Sequence, residues 1–242
     1  MRRLALLVLV LPLAACGAGG SKKSSSSTPL DAVTAAAQKT FAAGTESLSL
    51  TANVQAAGQT VTLGGTGAFA TKGARGSMSL HVDAGPVATT VEEVLAGTAV
   101  YLKSPLLVAG LPAGKTWVKL DLAKLHVSGI DLQSLLEQNP AEQLKTLESL
   151  KSATKVGTGQ VGGVSATHYT VQTAVKTFPS YDVWVGDDGY IHRVQVAQGN
   201  PKVSVMLDLS KFGEPVTATP PPAAKVYTSK NGTIPGLGGT GA

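Results

Sequence analysis

Few residues of this chain have the type and spacing that chemistry needs. His81, His126, His168 and His192 fall in separate segments, with no metal-ligand spacing among them. Asp187 and Asp188 are adjacent, but they lack the further acidic positions of a calcium loop, and Gly186 and Gly189 around them mark a hairpin turn. There is no phosphate-cradling P-loop, no G-x-S-x-G nucleophile elbow and no H-E-x-x-H zinc helix. Serine is richest at Ser24 to Ser27, in a stretch with no apolar residue to build a site around. No enzyme is expected, and no cofactor or metal. One residue is placed for covalent chemistry, and it is Cys16.

The chain's single cysteine ends the run MRRLALLVLVLPLAAC. Arg2 and Arg3 give a positive start, Leu4 to Leu11 an apolar run, and Leu13-Ala14-Ala15 the small residues a signal peptidase requires. The apolar run is too short to cross a hydrocarbon layer of roughly 30 Å, so residues 1–15 are expected to be a signal peptide. Leu13 to Cys16 resembles a bacterial lipobox, which implies diacylglycerol on the Cys16 sulfur, cleavage before it, and N-acylation. Residues 16–28 then form a tether. Its GAGGSKKSSSST composition predicts a flexible coil with a reach of about 20 Å. The expected location is the extracytoplasmic face of the cell membrane, held by lipid.

Composition excludes several classes. One cysteine rules out an internal disulfide framework. The formal charge of +5 falls to +3 when Arg2 and Arg3 leave, too weak and too evenly spread for a nucleic-acid partner. Only 14% of the 242 residues are charged, while Ala, Gly, Thr, Val and Leu abound, as suits β-structure with an apolar interior.

The elements that would carry a site follow from period. Thr28 as cap, Pro29 at the first helical position, Asp31 in the first turn and Gly44 as stop bound a helix striped by Leu30, Val33, Ala37 and Phe41. From Glu46 the period is two. Leu48 to Val54, Val61 to Phe69, Met78 to Val82, Thr89 to Leu95, Ala99 to Lys103 and the strand at Trp117 to Asp121 alternate between short turns. Later strands run through Val164 to Thr173, Tyr181 to Val185, Tyr190 to Val196 and Val203 to Leu209, an α+β pattern with an antiparallel meander. Two segments interrupt it. Pro105 to Gly114, apolar with two prolines, is either a loop across the end of the core or the lip of a cavity. Residues 130–152 predict two helices striped by Leu132, Leu135 and Leu136, then Leu144, Leu147 and Leu150, with Gly157 and Gly159 ending the helical region. The folded domain is expected over 29–220, with a loose Pro/Gly-rich tail over 221–242.

Large side chains are scarce, with four Phe, two Trp and three Met in the chain. Small core-facing residues either pack tightly or leave a cavity. Several segments in order resemble the LppX/LprA/LprF/LprG family of actinobacterial lipoproteins. They are Thr116 to Leu120 (TWVKL), Gly163 to Tyr169 (GVSATHY), Tyr181 to Val185 (YDVWV), Asp188 to Val194 (DGYIHRV) and Asp208 to Val216 (DLSKFGEPV), within a resemblance covering about residues 29 to 220. That resemblance implies an unclosed antiparallel half-barrel, similar to the LolA and LolB carriers, with helices across its open concave side. It also implies an apolar cavity that binds acylated lipid or glycolipid, and transfer of that lipid within the envelope. The expected lining is Leu50, Val54, Leu63 and Leu80 on strands, Leu106, Leu107 and Val108 on the apolar segment, and Leu135, Leu136, Leu144 and Leu147 on the cover. Partners would be the lipid ligand, the membrane through the Cys16 anchor and a membrane transporter, around a monomeric protein. The rival expectation is a structural or sensory envelope lipoprotein with a filled core and a protein partner.

Cys16→Ser is expected to move the protein from the membrane fraction to the soluble fraction, read by fractionation and immunoblot. Unchanged membrane association of that variant refutes the anchor.

Overall fold

The computed structural model describes residues 27–56, 59–70, 74–121, 150–174, 180–199 and 202–229. Cys16, the signal, the tether and the predicted cover with Leu135, Leu136, Leu144 and Leu147 lie outside the described residues.

Helix α1, Pro29–Ala42, starts where the local chemistry directs. The Thr28 hydroxyl accepts from the Asp31 amide at 3.2 Å and the Asp31 carboxylate accepts from the Thr28 amide at 3.0 Å, a reciprocal capping box. Those Thr28 hydrogen bonds, side chain first, hold the Asp31 carboxyl below its usual range. The helix ends before Gly44, whose φ of 75 a side chain would resist. Val33 and Ala36 are its buried residues, so the contact stripe is rotated slightly from the expected one.

Twelve described strands form one sheet. They are β1 (Thr45–Ala56), β2 (Gln59–Ala70), β3 (Arg75–Ala84), β4 (Val87–Ala96), β5 (Ala99–Lys103), β6 (Trp117–Asp121), β7 (Leu150–Val161), β8 (Val164–Thr173), β9 (Ser180–Gly186), β10 (Ile191–Gly199), β11 (Lys202–Ser210) and β12 (Val226–Thr228). Their order is β12-β6-β5-β4-β3-β2-β1-β11-β10-β9-β8-β7. Every pairing is antiparallel except β12 on β6, and β7 does not meet β12, so the sheet is an open half-barrel rather than a closed barrel. Short turns make this order. Gly162 and Gly163, at φ 57 and 85, join β7 to β8 in the two-residue form that needs positive φ at both positions.

Both helices sit on one face. α1 lies against β7 to β10, where Val33 and Ala36 close a core with Val171, Val183 and Ile191. The second helix, α2 (Pro105–Val108), packs on β4 and β6 and makes a smaller core of Leu107, Val118 and Leu120. Pro105 to Gly114 is therefore no central strand, as its prolines required.

Three expectations fail. Leu150 belongs to a strand, not a helix. Gly157 and Gly159 lie inside β7, where they pair with His168 and Ala166 instead of ending a helix. Glycine is a local breaker signal, but pairing with β8 is tertiary and overrides it; register shifts near Leu150 and Lys155 absorb the misfit as bulges. The expected loose tail is likewise ordered over Val226–Thr228. Residues 211–225 cross from the end of β11 to β6, where Thr116 donates to the Lys225 carbonyl at 2.9 Å and Tyr227 packs on the smaller core. No local periodicity announces a three-residue parallel strand.

Gly65, Gly67 and Gly76 let β2 and β3 approach closely. A Cβ at Gly65 would stand 2.5 Å from the Ser79 carbonyl oxygen, and one at Gly67 2.6 Å from that of Ser77. At Gly76 it would enter the Phe69 ring. Gly76→Ala should therefore destabilise the fold by about 1–3 kcal/mol in denaturant unfolding. In a Phe69→Ala background the penalty should shrink, and an equal penalty in both backgrounds would show that the ring is not the obstacle.

Candidate functional site

Register assigns each strand residue to a face. One face carries cross-strand rows of apolar residues: Leu209–Leu48–Gly67–Met78, continued by Glu93, Leu102 and Val118, then Leu207–Leu50–Gly65–Leu80–Val91, then Val205–Ala52–Leu63–Val82. This is the helix-bearing, inner face. α1 and α2 cover its two ends, and the side chains between them, including Leu48, Leu50, Leu63, Leu80 and Val91, are only half-buried.

Of the expected lining residues, Leu50, Val54, Leu63 and Leu80 share this face. Leu50 and Leu80 flank Gly65 directly, and Leu80 Cδ2 stands 2.8 Å from where a Gly65 Cβ would be. The glycines therefore leave no voids; neighbouring side chains lean over them. The apolar segment divides. Leu107 is 7% exposed in the smaller core, Val108 is half-buried, and Leu106 is 52% exposed. Only one of the three can point under a single short helical turn.

Two residues on the inner face escaped the sequence reading. Glu46 precedes Leu48 by two, and Glu93 lies two residues from both Val91 and Leu95, so alternation alone places both carboxyls among apolar neighbours. Glu93 stands between Met78 and Leu102 across the strands. Neither acid has a hydrogen-bond or ion-pair partner among the described residues. Burial pushes both carboxyls up from the usual range.

The outer face is polar and internally paired. Arg193 grips Asp208 with two hydrogen bonds, 2.5 and 2.7 Å, chiefly through which its guanidinium is held more strongly protonated. The guanidinium also lies over Trp184, on which His168 stacks at 4.1 Å. His168 Nε2 comes within 3.2 Å of Asp182 Oδ1, but it is not aligned to make a hydrogen bond there. This is a cross-strand ladder of the kind that stabilises sheets. A groove of about 990 Å³ also involves strands β11, β1, β2, β3, β4 and β6. Its lining takes in Leu209, Leu48, Gly67, Met78 and Glu93 of the first inner row together with Ser47, Ser49, Thr66, Ser77, Ser79 and Trp117 of the rows beside it.

At the β9–β10 turn, α1 is pinned by polar contacts. Lys39 Nζ donates to the Asp188 carbonyl and lies over the Tyr190 ring, while the Thr40 hydroxyl accepts from the Ile191 amide at 2.8 Å. That amide sits at the register shift between Ile191 and Arg193, so the helix supplies the acceptor the ladder lacks. His192 is buried, with Nε2 at 3.0 Å from both Asp188 oxygens and its ring edge-on to Phe212. Burial works to raise the Asp188 carboxyl, but the Tyr190 amide, His192 and Lys39 outweigh it and hold the group below its usual range. Asp187 and Asp188 thus serve a turn. Among the described residues no three His, Cys, Asp or Glu side chains are grouped to hold a metal, and no helix is long and apolar enough to cross a membrane.

An open antiparallel half-barrel whose helices lie on its apolar face defines a known architectural class. Solved structures similar to this chain include LprF from Mycobacterium bovis, at 13% identity and a TM-score of 0.52, over 80% of this chain and 96% of that one. The Mycobacterium tuberculosis lipoprotein LppX is similar at 15% identity and a TM-score of 0.52, over 79% and 98%. At that identity the likeness is one of fold, and the fold is the one the sequence resemblance implied. No family model and no curated protein matches the sequence.

Glu93→Gln tests the inner-face electrostatics. Burial raises the folded-state pKa above the unfolded value, so the stability linked to this group is full below the unfolded value and lost as pH rises through the folded one. The Gln variant should match wild type near pH 3 and exceed it in Tm at pH 7, in thermal unfolding across that range. Identical Tm values at every pH refute an unfavourable inner-face charge.

Proposed function

We propose that this protein is a non-enzymatic envelope lipoprotein, tied to the membrane by acylated Cys16, that holds the acyl chains of a lipid or glycolipid on its inner face and carries it within the envelope. The observation that supports the reading is the set of registered apolar rows between α1 and α2, which the described helices leave half-buried. A surface of that kind suits a hydrocarbon chain. Each buried CH₂ contributes about 0.8 kcal/mol, so a sixteen-carbon chain gains on the order of 10 kcal/mol before ordering costs. No designed polar pocket is needed for such affinity.

In this reading Leu135, Leu136, Leu144 and Leu147, from the stretch between β6 and β7, complete the cover, and that cover must move for the ligand to leave. LppX, which shares the fold, is described as a lipoprotein, in keeping with an anchor at Cys16. Two acyl chains on one cysteine make a stable anchor where one would be reversible. An anchored carrier hands its cargo to something within reach of its tether, such as a membrane transporter.

Native mass spectrometry of the full-length Cys16→Ser chain, which carries no lipid of its own, tests this. Non-covalent acyl lipid leaving the protein on collisional activation is expected. A ligand-free spectrum, together with no uptake from added vesicles, would leave a filled-core structural or sensory lipoprotein as the better account.

A further inference from the structure

The two acids of the inner face point to the chemistry of the cargo. Strands β1 to β6 and β8 to β11 contain five cations, Arg75, Lys103, Lys119, Arg193 and Lys202. Register turns every one of them to the outer face. Arg75 pairs across to Ala70 and Ala96, Lys103 to Glu92, Lys119 to Tyr101, Arg193 to Asp208, and Lys202 to Gln55. There, Lys103 reaches Glu92 at 2.9 Å and Arg193 reaches Asp208. On the inner face of the same strands the charged residues are Glu46 and Glu93, both acidic and both without a described partner. We propose that Glu93, with Glu46 as a second acid on the same face, makes the lipid-bearing surface selective for acyl lipids whose polar part carries no negative charge. This rests on the lipid-carrying reading above and deepens it.

The physical reason is asymmetric. An anionic headgroup over the rows between α1 and α2 would meet two carboxylates, while the inner-face strand cation, Lys155 beside Tyr169, lies away from them on the edge strand β7, in a setting where partial burial weakens screening by water. An uncharged polar group meets complementary chemistry. A ligand hydroxyl donates to the Glu93 carboxylate, and a protonated Glu93 donates to an ester carbonyl. Glu93 is the better placed of the two, because its neighbours Met78, Leu102, Val91 and Leu95 offer the ligand hydrocarbon contact on every side. An unpaired acid on an apolar surface costs stability, and a ligand that completes its hydrogen bonding recovers part of that cost.

The test uses the full-length Cys16→Ser chain and two fluorescent probes with identical acyl chains, a diacylglycerol and a phosphatidylglycerol. Wild-type inner-face residues should favour the uncharged probe at least tenfold. Glu93→Gln should narrow that preference through tighter phosphatidylglycerol binding, and Glu93→Lys should abolish or invert it, with circular dichroism confirming that each variant is folded. If Glu93→Lys does not fold, the Gln variant alone decides. Equal binding of both probes by the parent, or a preference unchanged in Glu93→Gln, overturns the selectivity while leaving lipid carriage standing. Binding of neither probe overturns the lipid-carrying reading itself, and the selectivity with it.

Discussion

A wide sheet that does not close has one apolar face to keep from water, and the rest of this structure depends on that need. Alternation puts Leu, Val, Met and Phe on the inner side of β1 to β6 and β8 to β11, and Ser, Thr, Asp, Arg and Lys on the outer side. In a closed barrel the inner residues would fill the interior from all sides. Here β7 and β12 are the edge strands among the described residues, so helices must supply the second layer. α1 shields one end and α2 the other. The half-buried rows between them are a consequence of the open topology.

Holding α1 in place takes more than its apolar stripe, which is short and built of Val33 and Ala36. The polar contacts at the β9–β10 turn compensate. The bulge at Ile191 frees an amide that Thr40 caps, and Lys39 reaches the Asp188 carbonyl, so an irregularity in the sheet becomes the helix's docking point. Irregular positions also shape the far side. Gly65, Gly67 and Gly76 let β2 and β3 lie close, and Phe69 roofs the gap that Gly76 leaves. Against that tight construction, Glu46 and Glu93, without a partner among the described residues, stand out as the places where the inner face departs from what stability alone would select.

Much of this was legible in the linear chain. Alternation located the strands from β1 to β6 and from β8 to β11, and the Thr28–Asp31 capping chemistry with Gly44 bounded α1, because both signals are local and repeat over many residues. Leu50, Val54, Leu63 and Leu80 were placed on one face for the same reason. Glu46 and Glu93 were legible in principle, since they keep the same parity as their apolar neighbours, but Glu46 entered only as the point where the period changes and Glu93 only inside the strand Thr89 to Leu95.

What only the tertiary structure decided has a common cause, which is that pairing partners are distant in sequence. β7 looked like the end of a helix because Leu150 continues a leucine stripe and its glycines read as stops; β8 made it a strand. β12 has three residues and no period, and exists only because residues 211–225 deliver it beside β6. Whether Leu106 or Leu107 faces the core was set by the direction in which α2 meets Val118 and Leu120. The sequence by itself determined the periods, the caps and the apolar parity of each strand. Which strands meet, and which of the described strands stand at the edges, were settled by long-range contacts, which no local period encodes.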